Sequence, residues 1–398
     1  MPKQERILKR TSNFFSLYTH ISGITEIPKI YHFWCCVALI SAALEDRVWF
    51  ELYKDVPTKP NLYVGLIGPG SVGKGLAISQ AVALVEKSLN VTVYRGKVTF
   101  AHLIDRLGKP SIDDWGREVI ANPKLWLVMD EFKNAVGSNK SLSEELVALM
   151  TELYTATNYT MQSGTRSAGE VAIKNACLNW IFGSNEGWLR QVLTKEIFES
   201  GFVARGCFIF ADEDLDNLVS RPIYPFDYEE VYEHLKLRLW MMQGYKGRFL
   251  ITPTAEATLD QWYHNRAKPE DESLYSTWRR QREMLLRFAM ILCIAEGGQM
   301  VICDRHLSQA AYMVKLLARF TSRLLMGANE SYNTRPVNIV GEYIKRKKEI
   351  DHTRLLRYMR AKRGFDAATV KKAVSDLIQE RSVTMDLSPT GGQLYFWV

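Results

Sequence analysis

The sequence predicts an α/β fold built on an open, largely parallel sheet with crossover helices. Three observations point there. Four short apolar runs recur, NLYVGLIG (Asn61–Gly68), LWLVMD (Leu125–Asp130), LNWIFGSN (Leu178–Asn185) and RGCFIFAD (Arg205–Asp212). Each is compact and nearly continuous, as a strand buried on both faces must be, rather than alternating. Segments of helical periodicity lie between them, and a glycine-rich turn comes after the first. The 398 residues, 47% hydrophobic and 24% charged, exclude a disordered tail, a collagen-like fibre and a disulfide mini-scaffold. At about 100–200 residues per domain, the length fits two or three domains.

After a polar, basic start, Phe14, Phe15, Tyr18 and Ile21, then Phe33, Val37, Ile40 and Leu44, recur at helical spacing between Asn13 and Phe50. They predict two N-terminal helices packed on the α/β core. A loop with Pro57 and Pro60 leads into the first strand. Next come a helix over Lys74–Ser88, the β-rich run VTVY and a polar, helix-prone insert to about Pro123, before the other three strands. Beyond Pro222 and Pro225 only helical periodicity is visible, from Tyr228 to about Leu325. The segment Val337–Val398 holds 12 Lys/Arg against 7 Asp/Glu. It reads as helices over Asn338–Lys348, His352–Arg363 and Ala367–Arg381, followed by strand-like SVTMDL and QLYFWV. That order describes a winged helix-turn-helix with its third helix in the recognition position. Arg363, Lys371, Lys372 and the cluster Lys345–Lys348 are its candidate phosphate contacts on DNA; protein contacts or regulation are the alternative use of such a domain. The expected segments are 1–56, 57–222, 223–335 and 336–398.

The longest apolar run, Phe33–Leu44, is far short of the roughly 20 residues that span a bilayer. No basic start is followed by an apolar run and a cleavage site, and the six cysteines form no C-x-x-C pair. The expectation is a cytoplasmic chain with reduced thiols and no membrane partner.

The segment Gly68-Pro69-Gly70-Ser71-Val72-Gly73-Lys74-Gly75 matches G-x-x-x-x-G-K between a strand and a helix. Its glycines let successive backbone N–H groups turn around a phosphate, at a helix N-terminus, while the lysine reaches the outer phosphates. Gly68 to Gly75 and the adjoining Leu76 are therefore candidate nucleotide-binding residues, with ATP and Mg²⁺ as the expected ligands. Gly75 stands where a Ser or Thr usually ligates Mg²⁺; a water or Ser71 would have to substitute. The bland alternative is a glycine-rich turn with a solvated lysine.

Asp130 and Glu131 end an apolar strand, where ligands bind in parallel sheets. Asp130 is the candidate metal ligand and Glu131 the group that polarises water; an acidic helix cap is the alternative. Asn185 ends the next strand and would orient that water, unless it simply forms a turn. Arg205, before the fourth strand, is expected on the domain edge, reaching a neighbouring subunit's nucleotide as a finger. Arg280 and Arg287 are seven residues apart on one helical face, in the region expected to lid the site.

Together these elements resemble the AAA+ core of MCM-type replicative helicases, above all the short versions carried by phages and mobile genetic elements. MDEF (Met129–Phe132) is similar to that family's I-D-E-F. ARGCFIFADED (Ala204–Asp214) resembles S-R-F-D-L-I-F-V-x-x-D-E, which makes Arg205 the finger. RQREMLLRFA (Arg280–Ala289) resembles R-Q-L-E-A-L-I-R-L-A, which makes Arg280 the sensor-2 arginine. The segment Tyr159–Trp180 looks like the pre-sensor hairpin that projects into the ring channel and grips DNA. The resemblance covers about Asn61 to Phe320 and, more loosely, the C-terminal segment. The zinc-bearing N-terminal domain of cellular members is absent, and the tip Ser167-Ala168-Gly169 lacks the family lysine. Arg166 and Lys174 flank that tip and are the candidate hairpin contacts.

The resemblance implies a P-loop AAA+ core with a helical lid, in an ATP-dependent DNA helicase. It would form a homo-oligomeric ring, a hexamer, with single-stranded DNA in its channel, duplex DNA at the winged helix, and a primase or other replication proteins as partners. Two other readings stand beside it. One is an AAA+ replication initiator or helicase loader that uses ATP as an assembly switch; the other is a DNA-binding scaffold whose ATPase has decayed.

Overall fold

The computed structural model describes residues 13–96, 99–108, 111–112, 116, 118–119, 123–132, 140–155, 160–165, 169–193, 197–198, 200–212, 218–333, 336–363, 365–380, 382–387 and 392–397. It divides into two compact units, Met1–Leu324 and Leu325–Val398. The expected segments 1–56 and 57–222, and 223–335 as far as Leu324, share the first unit, and a continuous core runs from Phe14 to Leu317 through all three.

Two helices, α1 (Phe14–Ser22) and α2 (Lys29–Leu44), open the chain. Of the 16 residues of α2, 13 are buried, so this helix lies inside the unit rather than on it. It ends at Glu45, whose φ of 51° leaves the helical region. The chain then forms β1 (Val48–Tyr53) and β2 (Val56–Thr58) instead of continuing helical to Phe50. β1 pairs antiparallel with β2 and, at Val48 and Trp49, parallel with β12 (Gly247–Arg248), some 200 residues on. Pro57 sits in the edge strand β2, a position that tolerates a missing N–H.

The central sheet contains β3 (Tyr63–Ile67), β4 (Val93–Arg95), β7 (Lys124–Met129), β10 (Cys177–Ser184) and β11 (Gly206–Phe210). All pairings are parallel and the order is β11-β3-β10-β7-β4. Every residue of β3 and β10 is buried, which is why both read as unbroken apolar runs. Helix α3 (Lys74–Ser88) is the crossover after β3. The expected polar insert holds α4 (Phe100–Leu107), then the short antiparallel pair β5 (Ser111–Ile112) and β6 (Glu118–Val119). After β7 come α5 (Lys140–Leu153) and an antiparallel hairpin of β8 (Thr160–Thr165) and β9 (Gly169–Lys174). Helix α6 (Glu186–Val192) succeeds β10.

Two hydrogen bonds pin α2 antiparallel along β3. Ser41 Oγ donates to Pro60 O at 2.7 Å, before the strand, and Tyr31 Oη donates to Ile67 O at 2.7 Å, at its end. On the strand surface an aromatic layer forms. Phe182 lies 4.7 Å from Phe132 and 6.2 Å from Phe208, ring to ring. Gly65 pairs with both Phe182 and Phe208, and a Cβ there would meet the Phe182 ring at 2.6 Å.

The helical region contains α7 (Tyr228–Met242), α8 (Pro253–His264), α9 (Tyr275–Ala295) and α10 (Asp304–Asn333). Three two-residue strands interrupt it: β12, β13 (Leu250–Ile251) and β14 (Val301–Ile302). Helix α7 packs on α1, α2 and α3, and α9 packs on α2 and on the turn before β11. Among the described residues, no helix is long and apolar enough to cross a membrane.

The second unit runs α11 (Pro336–Lys347), β15 (Glu349–Asp351), α12 (His352–Arg363), α13 (Ala367–Gln379), β16 (Val383–Leu387) and β17 (Gln393–Trp397). The three strands form an antiparallel sheet in the order β15-β17-β16. Its core gathers Val340, Ile344, Leu355, Met359, Val370, Leu377 and Tyr395. The three helices begin and end within a few residues of expectation; β15 is an addition.

His32, fully buried on α2, hydrogen-bonds Thr25 Oγ1 through Nε2 at 3.2 Å. Burial pulls its pKa down to about 4. The unfolded imidazole takes up a proton near pH 6.5, so the unfolded state gains protons first as pH falls. Stability is full above that value and declines toward pH 4, by up to about 3 kcal/mol. Urea titrations across this range test it; His32→Gln should flatten that part of the profile.

Candidate functional site

The glycine-rich loop springs from the carboxyl end of β3. Gly73, at φ 80°, is the N-cap of α3, and no side chain caps that helix. A left-handed residue suits glycine, and a Cβ here would also meet Ile27 Cγ1 at 2.6 Å. The first N–H groups of α3, which lack intrahelical partners, therefore form the loop's concave end. Lys74 is the first helical residue and is buried. Its ammonium donates to Gly68 O at 2.8 Å and to Pro69 O. Burial lowers its pKa, and the Glu131 charge opposes that shift. Beneath the loop, Tyr31 Oη, which donates to Ile67 O, also lies 3.1 Å from Ala211 O, sharing its one proton between the two carbonyls. A Cβ on Gly68 would meet that hydroxyl at 2.5 Å. By contrast, a Cβ on Gly70 or Gly75 would meet nothing within 4 Å.

The sheet order gathers the other candidates at this edge. β10 lies between β3 and β7, with Ser184 opposite Ile67 and Phe182 opposite Met129. Asp130 and Glu131 continue from β7, Asn185 from β10, and the loop from β3, all from carboxyl ends. Asp130 is exposed and Glu131 half-buried. Gly183 keeps the interior of this edge clear: a Cβ there would meet Asp130 O at 2.5 Å and Lys74 Cβ at 3.6 Å. Asn185 is the N-cap of α6, its Oδ1 accepting from Trp188 N–H at 2.8 Å. The cap occupies the oxygen, and the Nδ2 amide is the donor such a side chain has left.

Beside the loop lies a cavity of about 500 Å³. Thr25, Glu26 and Ile27 form one wall, Ser71–Gly73 and Leu76 the floor, and Leu218, Val219 and Pro222 the far side. Val219 N–H donates to Glu26 Oε2 at 3.2 Å, tying two walls together. Of these residues the sequence pointed only to the loop and Leu76. The others sit in connecting segments whose local pattern carries no periodic signal.

The three arginines lie away from the loop. Arg205 ends a 3₁₀ turn (Val203–Arg205) that precedes β11, at the amino edge of the sheet, opposite the loop. It is only 8% exposed, and Nη1 donates to Gly201 O at 2.7 Å. Burial, and then the Arg280 charge, bring its pKa down to about 10. Arg280, paired with Glu283 at 3.2 Å, shares a small pocket with Ala204 and Gly206. Arg287 donates to Asn61 O at 2.9 Å and to Lys59 O, ahead of β3. The helix that carries Arg280 and Arg287 thus packs at the amino edge and does not lid this chain's own loop.

In the hairpin, Thr165 pairs with Gly169 and Thr160 with Lys174. Lys174 therefore stands at the base, about 17 Å along β9 from Gly169 at 3.4 Å per residue, and is not a flank of the turn; Arg166 lies outside the described residues. On α13, Lys371 and Lys372 are both exposed. Burial, with Lys371 nearby, lowers the pKa of His352. Arg363 closes α12. Among the described residues no cluster of three or more His, Cys, Asp or Glu could hold a metal ion by itself.

Arg323 on α10 was not indicated by the sequence. It pairs with Glu186 at 2.7 Å and lies 3.8 Å from Asp212, at the loop edge. Its segment, LLARFTSRLL, shows helical spacing and no motif. The chain matches no family model, and no curated protein is significantly similar to it.

The two glycines of the loop should respond oppositely to a methyl group. Gly73→Ala, which meets both the positive φ and Ile27, should cost about 1–3 kcal/mol. Gly75→Ala, in open space within a helix, should be neutral or stabilising by up to about 1 kcal/mol. Equilibrium urea denaturation of both variants checks this.

Proposed function

We propose that this chain is an AAA+ ATPase that works as a ring-forming DNA helicase or translocase. The observation that carries the reading is the convergence at one sheet edge of the uncapped loop with Lys74, the Asp130–Glu131 pair and Asn185. The adjoining cavity is of a size to take a nucleoside. In the mechanism, the loop N–H groups and the α3 N-terminus bind the phosphates, and Lys74 leaves the Gly68 and Pro69 carbonyls for the outer ones. The water oxygen bonds to the γ-phosphorus as the bond to the β–γ bridging oxygen breaks and ADP leaves; Glu131 accepts the proton of that water, and the Asn185 amide donates to the water or to the γ-phosphate.

Asp130 would hold Mg²⁺ together with phosphate oxygens, a donor set that suits this ion because it keeps several waters. When bound, it supplies charge neutralisation across the β- and γ-phosphates. Arg205 and Arg280 lie together at the opposite edge, which favours service to a neighbouring subunit's nucleotide in a hexamer. Arg205 would have to exchange the Gly201 carbonyl for that phosphate. The β8–β9 hairpin is the proposed grip on single-stranded DNA. Unit two, with the helix and strand order of a winged helix, would take duplex DNA through Lys371, Lys372 and Arg363 on its phosphates.

One observation favours a second reading, a replication initiator or helicase loader. Gly75 leaves Mg²⁺ without the usual hydroxyl, which suits a slow assembly switch. Steady-state phosphate release and forked-DNA strand displacement divide the two. Glu131→Gln should cut turnover about 100-fold or more; unchanged turnover would remove the catalytic assignment. Turnover without displacement at saturating ATP would favour the loader. Because a side chain fits at position 75, Gly75→Ser should raise Mg²⁺-dependent turnover several-fold, as read by phosphate release.

A further inference from the structure

We propose that Arg323 is a positioning residue for Asn185, acting through Glu186; this rests on the nucleotide reading above. Helix α6 has only seven residues, and so short a helix is not held by its own hydrogen bonds. Its orientation depends on side-chain anchors, and Arg323 is one of them. Nε donates to Glu186 Oε1 at 3.2 Å and Nη2 to Oε2 at 2.7 Å, the two-pronged geometry that fixes direction as well as distance. Glu186 is the first residue of α6, and Asn185 is its cap. The same Nη2 lies 3.8 Å from Asp212 Oδ1, and the guanidinium covers the Phe210 ring at 4.7 Å. Arg323 therefore ties the carboxyl ends of β10 and β11, the two strands that flank β3 and its loop. The Glu186 carboxylate keeps its charge firmly in place, raising its pKa.

The ion pair is open to solvent on the arginine side, and such pairs add little to global stability. Its consequence is local: the direction of the first turn of α6, and with it the Asn185 amide.

The test is Arg323→Gln in the full chain, alone and combined with Asn185→Ala. ATP turnover should fall about tenfold in kcat with KM for ATP within twofold, and Tm should stay within about 2 °C. Arg323→Lys, which cannot fork, should recover only part of the rate. The double variant should be no slower than Asn185→Ala. Multiplying effects, an unchanged kcat, or a change in KM alone would overturn the proposal. Amide hydrogen exchange provides a readout independent of hydrolysis. The Trp188 amide, which donates to Asn185, should exchange at least tenfold faster in Arg323→Gln, with the central sheet unchanged. Unaltered exchange there would overturn the positioning role whether or not the protein hydrolyses ATP. Loss of the nucleotide reading would show separately, as a wild-type chain without turnover.

Discussion

The left-handed turn at Gly73 is the constraint on which the site depends. It lets the chain leave a fully buried strand and enter α3 without a capping side chain, so the helix's first N–H groups converge on one point. Lys74 comes next and is held inward by burial and by the Gly68 and Pro69 carbonyls. Moving the turn by one residue would rotate Lys74 about 100° around the helix and away from Glu131.

The rest of the unit serves that turn. Tyr31 and Ser41, on the buried helix α2, hold β3 at its two ends. Gly65 and Gly183 remove side chains where Phe182 and Asp130 must come close. The sheet order sets β10 between the loop strand and the acidic strand, so the backbone of Asn185 falls between those of the lysine and the carboxylates. At the other edge, the Arg205–Arg280 cluster brings two like charges together, which Glu283 offsets in part.

The strands were legible because burial on both faces leaves an unmistakable apolar run. The loop and the acid pair were legible because a G-x-x-x-x-G-K turn and two adjacent carboxylates each directly follow an apolar strand. Distant partners set the features that escaped the sequence. VWFELY became β1, with β2 paired antiparallel on one side and the distant Gly247–Arg248 parallel on the other. Thr25, Glu26, Leu218 and Val219 meet at the cavity although Glu26 and Val219 are 193 residues apart in the chain. Lys174 lies at the hairpin base because register, not nearness in sequence, fixes its height. The heptad spacing of Arg280 and Arg287 was right, but periodicity gives a helix its face and not its neighbour. Arg323 shows the same limit, as a cation on an ordinary amphipathic stripe.

Soaking or co-crystallising the chain with Mg²⁺ and a non-hydrolysable ATP analogue tests the central claim most directly. The triphosphate should lie against the amides of Gly70 to Lys74, with the ammonium moved from the Gly68 and Pro69 carbonyls onto it. The base should enter the cavity between Ile27 and Leu218. A loop left unchanged, or a nucleotide seated elsewhere with Glu131 facing away from its terminal phosphate, would contradict the claim.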